Sequence, residues 1–377
     1  MLKVSRFAAL IAAAFILTGA VAAQPVRLRI VASFSILADV VQNITLGAAD
    51  VSSLIPRGAD PHGFEPSARD IAALEQADIV ILAGAGFEET LLQTITTSAS
   101  GALIIEASAC VPVRAYGEVD AHAAEEAIPV TQSASVGSLG LDLAALCAGY
   151  DVYISELDAL KSGMGFPSAA AADPATLGPL FQVGCLGHAQ DAEADDEVHG
   201  TCDPHVSSNP RNVSYWTLYI RDVLSAADPA NADLYAANEE EYLYAIDDLL
   251  RLELDPLITA IPAEDRTLLS NHETLGYFAA AYGFEMVGFV LPGGSAMAEP
   301  SAQDLAALID LIQTTGIRAI FSESTLSSRV AEQVASESGA QIFTLYTDSL
   351  SAEDGEASTY LDYITYNFTT IAAALSR

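Results

Sequence analysis

The feature that most limits the possible folds is an alternation of short apolar runs with helical patterns, which occurs twice along the chain. In the first part, the apolar runs are Leu28–Ala32, Val51–Ile55, Asp78–Ala83 and Ala102–Glu106. In the second part, they are Arg266–Leu269, Met286–Val290, Arg318–Phe321 and Gln341–Tyr346. Short strands separated by helices are typical of parallel sheets built from strand–helix–strand units. The sequence therefore predicts an α/β fold with two parallel-sheet lobes.

The length of the chain also favours two lobes. With 377 residues, it exceeds the roughly 250–300 residues at which a single hydrophobic core stops growing. In chain order we expect a signal peptide, an N-terminal lobe, a long bridging helix and a C-terminal lobe, over residues 1–23, 24–227, 228–261 and 262–377. Within the bridging helix, Pro256 should kink or interrupt the helical path.

An irregular insertion over about residues 107–202 breaks the alternation in the first lobe. It contains all four cysteines and one amphipathic stretch, near Leu141–Leu160. Since no Cys-x-x-Cys pair is present, disulfides are favoured over a cysteine metal site. Three pairings are possible, and we favour the sequence neighbours, Cys110 with Cys147 and Cys185 with Cys202.

The first residues have the pattern of a secretory signal. Lys3 and Arg6 precede an apolar stretch from Phe7 to Leu17, and small residues at Val21-Ala22-Ala23 provide a cleavage site. No cysteine follows that site, which argues against a lipid anchor, and no later apolar run approaches the roughly 20 residues of a membrane span. We therefore expect a monomeric periplasmic or secreted protein.

The chain is strongly acidic, with a formal net charge of −35. Such a surface repels nucleic acid and anionic lipid, and it concentrates cations around the protein. Solubility or salt tolerance explains the acidity equally well. The charge therefore argues against a nucleic-acid partner without identifying a ligand.

One segment occurs in both halves of the chain, since Glu65–Leu74 matches Glu299–Leu308 almost residue for residue. Each copy carries the Ser-x-x-Asp spacing of a helix capping box. The turn before the first copy contains His62, in Asp60-Pro61-His62, whereas the turn before the second copy has no histidine. His62 is therefore not needed to build the unit, which points to a functional role.

Two further histidines lie in similar turn-to-helix contexts, although the chain has only six histidines. His205 ends a second Asp-Pro-His tripeptide, and His272 precedes a predicted helix over residues 273–282. Three imidazoles and one carboxylate form a donor set that suits tetrahedral Zn²⁺. Local capping or packing of each histidine is the competing interpretation.

The fourth ligand should be a carboxylate at the edge of the second sheet. Asp348 is our prediction because it directly follows a strand, where open α/β sheets bind ligands. Glu323, which follows a neighbouring strand, is the alternative. We also expect helix N-termini that face the site to keep the imidazoles neutral.

An acidic stretch before His205 contains His188 and His199. This stretch could act as an auxiliary loop that collects cations weakly. A solvated surface loop explains the same residues equally well.

Motifs of enzymes are missing from the sequence. It contains no His-Glu-x-x-His, no Gly-x-Ser-x-Gly, no phosphate-binding Gly-x-x-x-x-Gly-Lys and no dinucleotide fingerprint. We therefore predict that the protein is not an enzyme. A zinc hydrolase and a surface adhesin are the alternatives from other functional classes.

Several motifs occur together in a fixed order, namely Asp60–Ser67, Asp203–His205, Asp228–Asn231, His272–Phe278 and Tyr346–Leu350. The combination resembles the periplasmic zinc- and manganese-binding solute-binding proteins of ABC transporters, a family that includes adhesin-like lipoproteins. The resemblance covers nearly all of the chain outside residues 107–201.

The resemblance implies two α/β lobes joined by a long backbone helix, with one metal ion in the cleft between them. The implied ligands match His62, His205, His272 and Asp348. It also implies that the protein captures a metal ion outside the cytoplasm and delivers it to an ABC transporter permease. Members with histidine at the third ligand position tend towards zinc, so His272 favours Zn²⁺ as the transported ligand, with manganese or iron(II) as the alternative.

Overall fold

The computed structural model describes residues 27–114, 136–163, 202–291, 296 and 299–376. The predicted signal peptide, Cys185, His188 and His199 lie outside these residues. Among the residues described, none of the helices combines the length and the apolarity that crossing a bilayer requires.

The N-terminal part of the chain forms a four-stranded parallel sheet. Its strands are β1 (Arg29–Phe34), β2 (Asp50–Ile55), β3 (Ile79–Leu82) and β4 (Leu103–Glu106), in the spatial order β2-β1-β3-β4. The connecting helices are α1 (Ser35–Thr45), α2 (Ala68–Gln76) and α3 (Leu92–Ser98). Every residue of β3 is buried, as expected for a central strand covered by helices on both faces.

Helix α3 begins only at Leu92, although the sequence has a helical pattern from Phe87 to about Thr96. The backbone before it instead forms turns in which Gly84, Ala85 and Gly86 all have positive φ angles. The buried carboxylate of Glu88 accepts hydrogen bonds from the backbone N–H groups of Ala83 and Gly84. A side chain that takes over backbone hydrogen bonds in this way competes with helix formation.

The described part of the insertion contains one long helix, α4 (Leu143–Gly163), close to the predicted amphipathic stretch. Regular structure resumes with α5 (Pro210–Ala227). Its start follows the helix-start signal Asn209-Pro210 in the sequence: the Asn209 side chain accepts a hydrogen bond from the N–H of Arg211, and Pro210 occupies the first helical position.

The long helix that follows changes type along its length. It consists of α6 (Ala232–Leu249), a π-helical turn (Leu250–Leu254) and α7 (Asp255–Thr259). Pro256 lacks an N–H group, and its ring would collide with a carbonyl in the preceding α-helical turn. A wider π turn relieves this conflict, so Pro256 changes the helical type while the chain stays helical. The helix ends at Thr259 rather than at residue 261.

The C-terminal part of the chain repeats the architecture of the N-terminal part. Its strands are β5 (Thr267–Ser270), β6 (Glu285–Phe289), β7 (Ala319–Glu323) and β8 (Gln341–Leu345), in the parallel order β6-β5-β7-β8. The helices are α8 (Gly276–Tyr282), α9 (Ala302–Thr315), α10 (Arg329–Ser338) and α11 (Tyr360–Leu375). Two equivalent strand orders confirm the predicted α/β fold with two parallel sheets.

The repeated segment builds the same local structure in both lobes. Capping boxes formed by Ser67 with Asp70 and by Ser301 with Asp304 begin α2 and α9. Helix α6 packs against α1 and α5, whereas α7 packs against α11. The long helix therefore contacts both halves of the molecule, and one continuous hydrophobic core extends from β1 and α1 to α11.

One of the two predicted disulfides is present among the described residues, between Cys110 and Cys147. Cys202 is also disulfide-bonded, and its predicted partner Cys185 lies outside the described residues. The first disulfide ties α4 to the end of the N-terminal sheet. The insertion is therefore anchored covalently beside the lobe that carries it.

Removal of this disulfide should destabilise the protein. The bond joins residues separated by 37 positions, and closing a loop of that size stabilises the fold by about 2–4 kcal/mol. We expect the double substitution of Cys110→Ser and Cys147→Ser to lower the free energy of unfolding by that amount in urea denaturation followed by circular dichroism. An unchanged midpoint and slope would show that the crosslink contributes nothing to stability.

Candidate metal centre

The four predicted donors come together at the carboxyl ends of the two sheets. His62 lies in the turn after β2, His272 follows β5 and Asp348 follows β8. His205 immediately precedes the short 3-10 turn that leads into α5. Because ligand sites of open parallel sheets lie beyond the carboxyl ends of the strands, this arrangement places all four side chains between the lobes.

The carboxylate of Asp348 faces all three imidazoles. Its Oδ2 atom lies 3.9 Å from Nε2 of His62, 3.6 Å from Nε2 of His205 and 3.9 Å from Nε2 of His272. One donor atom from each of the four residues lies within 4.8 Å of all the others. Zinc bound tetrahedrally at 2.0–2.1 Å has its donors about 3.3 Å apart. The four side chains could therefore hold one metal ion after small movements.

His272 is oriented by Glu323, the alternative fourth ligand. One carboxylate oxygen of Glu323 lies 2.7 Å from Nδ1 of His272 and accepts a hydrogen bond from the backbone N–H of the same residue at 3.0 Å. Its other oxygen accepts a hydrogen bond from the hydroxyl of Thr347. Nε2 of His272 is buried and makes no hydrogen bond with the described residues. Glu323 thus contacts the outer nitrogen of His272 and leaves the inner nitrogen facing Asp348.

His205 has an equivalent partner in Asp203. Oδ1 of Asp203 lies 3.0 Å from Nδ1 of His205 and also accepts a hydrogen bond from its backbone N–H. Oδ2 of Asp203 accepts a hydrogen bond from the guanidinium of Arg114 at 3.1 Å. A carboxylate on the outer nitrogen of a histidine fixes the ring and its tautomer and strengthens the other nitrogen as a metal ligand.

His62 is the most accessible of the donors, with 27 % of its side chain exposed. Its backbone N–H donates a hydrogen bond to Oδ1 of Asp60 at 3.0 Å. Asp203 makes the same bond to the backbone of His205. Both Asp-Pro-His tripeptides therefore form the same turn, in which an aspartate side chain accepts the N–H located two residues later.

The charges at the site influence one another. Burial raises the pKa of Asp348, and the imidazoles of His205 and His272 only partly oppose this effect. For His205, burial lowers the pKa, but the carboxylates of Asp348 and Asp203 outweigh burial and raise the pKa to about 9. Without a bound metal ion, this shift favours the protonated imidazole of His205 at neutral pH, contrary to the expectation that helix N-termini keep the imidazoles neutral. A metal ion that binds His205 at neutral pH must displace a proton.

Contacts across the cleft hold the two lobes together beside the site. The hydroxyl of Ser349 accepts a hydrogen bond from the N–H of Gly58 and lies 3.2 Å from the hydroxyl of Ser35. The carboxylate of Asp39 in α1 accepts a hydrogen bond from the N–H of Tyr360, the first residue of α11. These contacts join the segment that carries Asp348 directly to the N-terminal lobe.

The sequence pointed to the four side chains that the fold brings together, but it missed the residues that orient two of them. Asp203 was visible as part of the repeated tripeptide, and its turn-forming role could have been deduced from the spacing to His205. Arg114 gave no such indication. It lies 89 positions before Asp203 in the sequence, so only the fold brings it to the site.

The profile of the ZnuA family, the zinc-uptake complex component A periplasmic, matches residues 30–374. The chain belongs to the ZnuA family. The match spans both sheets, the long helix and all four donors, which extends family membership to the whole described fold.

Several curated relatives of this ZnuA family protein carry the names of different metals. The manganese-binding lipoprotein MntA of Halalkalibacterium halodurans is 27% identical over 353 residues, covering 93% of this chain and 89% of the relative. The iron-binding protein YfeA of Yersinia pestis is 27% identical over 350 residues, covering 92% of this chain and 86% of the relative. The zinc-binding protein TroA of Treponema pallidum is 24% identical over 358 residues, covering 92% of this chain and 89% of the relative.

Solved structures agree with the fold. The periplasmic zinc-binding protein TroA of Treponema pallidum superposes with a TM-score of 0.66 at 21% sequence identity, covering 93% of this chain and 100% of TroA. The manganese-bound periplasmic metal-binding protein of Candidatus Liberibacter asiaticus has a TM-score of 0.63 at 25% identity, with the same coverage of both chains. Both similarities confirm the two-lobed architecture for this ZnuA family protein.

Proposed function

We propose that this protein captures Zn²⁺ outside the cytoplasm and delivers it to the membrane permease of an ABC-type metal importer. The observation that carries the proposal is the cluster of His62, His205, His272 and Asp348, whose donor atoms lie within 4.8 Å of one another between the lobes. Membership of the ZnuA family supports the same role.

The donor set favours zinc over harder divalent cations. Imidazole nitrogen suits zinc and other late transition metals, whereas sites for manganese are richer in oxygen donors. Three of the four donors here are imidazoles. The names of relatives include manganese, iron and zinc, so manganese and iron(II) are the alternative cargo on the same scaffold.

The geometry supports a carrier rather than a catalyst. Four protein donors complete a tetrahedral zinc site, whereas catalytic zinc sites keep one position for water or substrate. His205, His272 and Asp348 are all buried. Glu323, a candidate for a general base, contacts His272 and Thr347 through its two oxygens. The site is therefore suited to hold an ion and release it unchanged.

The proposal includes a location and a partner. A cleaved signal peptide over residues 1–23 would place the protein in the periplasm or outside the cell. Some relatives are named as lipoproteins, so labelling of the N-terminus of the mature protein tests whether this chain carries a lipid anchor.

Metal analysis and competition test the function directly. The purified mature protein should contain close to one zinc ion per chain by mass spectrometry, and chelator treatment should remove it. In anaerobic competition titrations, zinc should displace manganese and iron(II), because imidazole donors follow the order of increasing affinity from manganese towards zinc. Stronger retention of manganese than of zinc would establish the alternative cargo, and the absence of stoichiometric binding of any of the three metals would refute transport.

A further inference from the structure

We infer that Arg114 is a positioning residue for metal binding, which acts through Asp203 on His205 and is held in place by Tyr277 from the opposite lobe. This inference rests on the proposed function, because it concerns how firmly the same site holds its ion. Arg114 lies 91 positions before His205 in the sequence.

The two oxygens of the Asp203 carboxylate bind different partners. One oxygen contacts Nδ1 and the backbone N–H of His205, each at 3.0 Å, and the other accepts the hydrogen bond from Arg114. The residue is completely buried. Two hydrogen-bonded sides leave the carboxylate little freedom to rotate, so the imidazole of His205 is held with Nε2 facing Asp348.

Arg114 also neutralises the charge of the buried Asp203 carboxylate. A buried carboxylate without a counter-charge is costly and tends to seek water or another partner. The guanidinium of Arg114 supplies that charge at 3.1 Å and is itself mostly buried. Loss of the guanidinium would therefore loosen Asp203 without removing any atom that touches the metal ion.

Tyr277 links the Arg114–Asp203 pair to the C-terminal lobe. The hydroxyl of Tyr277, in α8, accepts a hydrogen bond from the backbone N–H of Arg114 at 3.0 Å and donates one to the backbone carbonyl of Asp203 at 2.8 Å. The guanidinium carbon of Arg114 lies 5.7 Å from the centre of the Tyr277 ring, within the range of a cation–π interaction. One tyrosine thus ties both residues to the other lobe.

Helix α8 packs closely against the Arg114–Asp203 ion pair. A Cβ atom at Gly276, the first residue of α8, would collide with the guanidinium of Arg114 and lie 2.5 Å from Oδ2 of Asp203. The helix can approach the ion pair only because glycine stands at this position. The close approach brings Tyr277 within hydrogen-bonding distance of both residues.

Together these contacts predict that the metal ion leaves the unaltered protein more slowly than it leaves a variant without the Arg114 guanidinium. Tyr277 of the C-terminal lobe holds the Arg114–Asp203 pair, and that pair fixes His205. Replacement of residues that orient metal-bound histidines typically weakens metal affinity roughly 10- to 100-fold. We expect Arg114→Met to weaken zinc affinity roughly 10-fold and to do so mainly through faster dissociation.

The experiment uses the full mature protein loaded with Zn²⁺ or Co²⁺. Zinc affinity is measured against a chromophoric chelator, zinc release by stopped flow, and the geometry of the site by the visible absorption of bound Co²⁺. Arg114→Lys keeps the charge and should recover most of the affinity, whereas Tyr277→Phe removes two hydrogen bonds and should speed release by about 2- to 10-fold. Arg221→Met is the matched control, because Arg221 in α5 forms an ion pair with Glu239 in α6 at 2.7 Å, and this pair is as deeply buried as the guanidinium of Arg114.

An altered Co²⁺ spectrum in Arg114→Met, with a normal spectrum in Arg221→Met, supports the positioning role. An unchanged spectrum and release rate in Arg114→Met overturns it while leaving zinc transport intact. If Arg114→Met fails to fold, normal release from both Arg114→Lys and Tyr277→Phe overturns the inference. Failure of the unaltered protein to bind zinc or cobalt at all refutes the proposed function together with the inference.

Discussion

Replacement of His62 by alanine should weaken zinc binding by more than about 100-fold while the fold remains intact. Structural zinc sites bind with about 10–16 kcal/mol, so one of four ligands accounts for about 3 kcal/mol, which corresponds to more than 100-fold in affinity. The side chain of His62 is 27 % exposed, and the helix after its turn is started by the Ser67–Asp70 capping box. Its removal should therefore leave the stability of the protein without metal almost unchanged.

Isothermal titration with competing chelator measures the affinity of the His62→Ala variant, and a thermal melt in the presence of chelator checks the fold. His188→Ala is the control that removes a histidine from the acidic stretch. That variant should retain the affinity of the unaltered protein, because the predicted ligands are His62, His205, His272 and Asp348. An unchanged titration curve for His62→Ala would contradict the assignment of His62 as a ligand.

Replacement of Asp348 by asparagine should have an effect of similar size, because it removes the only carboxylate among the four clustered donors. Oδ2 of Asp348 lies within 3.9 Å of Nε2 of each of the three histidines. Asparagine keeps the shape but loses the negative charge opposite the metal ion. Removing one partner from a buried charge pair costs about 3–5 kcal/mol, so we expect zinc affinity to fall by at least about 100-fold.

Glu323→Gln provides the matched comparison for Asp348→Asn, since both are buried carboxylates at the ends of neighbouring strands. Glu323 contacts the outer nitrogen of His272, so the loss of its charge should weaken zinc binding by only about 10- to 100-fold. Competition titrations of both variants decide the question. If Glu323→Gln lost more affinity than Asp348→Asn, Glu323 would be the fourth ligand instead.

Predictions from the sequence were most accurate where local chemistry sets the structure. The starts of α2 and α9 follow from capping boxes, and the start of α5 follows from Asn209 and Pro210. All of these signals act within a few residues, so they work before the rest of the chain is folded.

Predictions failed where side chains bind the backbone in place of a helical turn. A helix was expected from residue 273, but α8 begins at Gly276. The hydroxyl of Ser270 donates a hydrogen bond to the carbonyl of His272, and the N–H of Thr274 donates to the same carbonyl. These bonds form the loop that directs His272 towards the site. The helical pattern of the sequence does not reveal them.

The sequence by itself determined the α/β fold, the two-lobed division and the histidines and carboxylates from which a metal site could form. It did so because strand patterns, helix caps and donor chemistry are properties of short segments. Only the tertiary structure placed Asp348 against the inner nitrogens of the three imidazoles and Glu323 against the outer nitrogen of His272, and brought Arg114 and Tyr277 beside Asp203. The physical reason is that distances between residues as remote as His62 and Asp348 depend on how the two sheets pack, and hydrogen bonds between such residues exist only after that packing has formed.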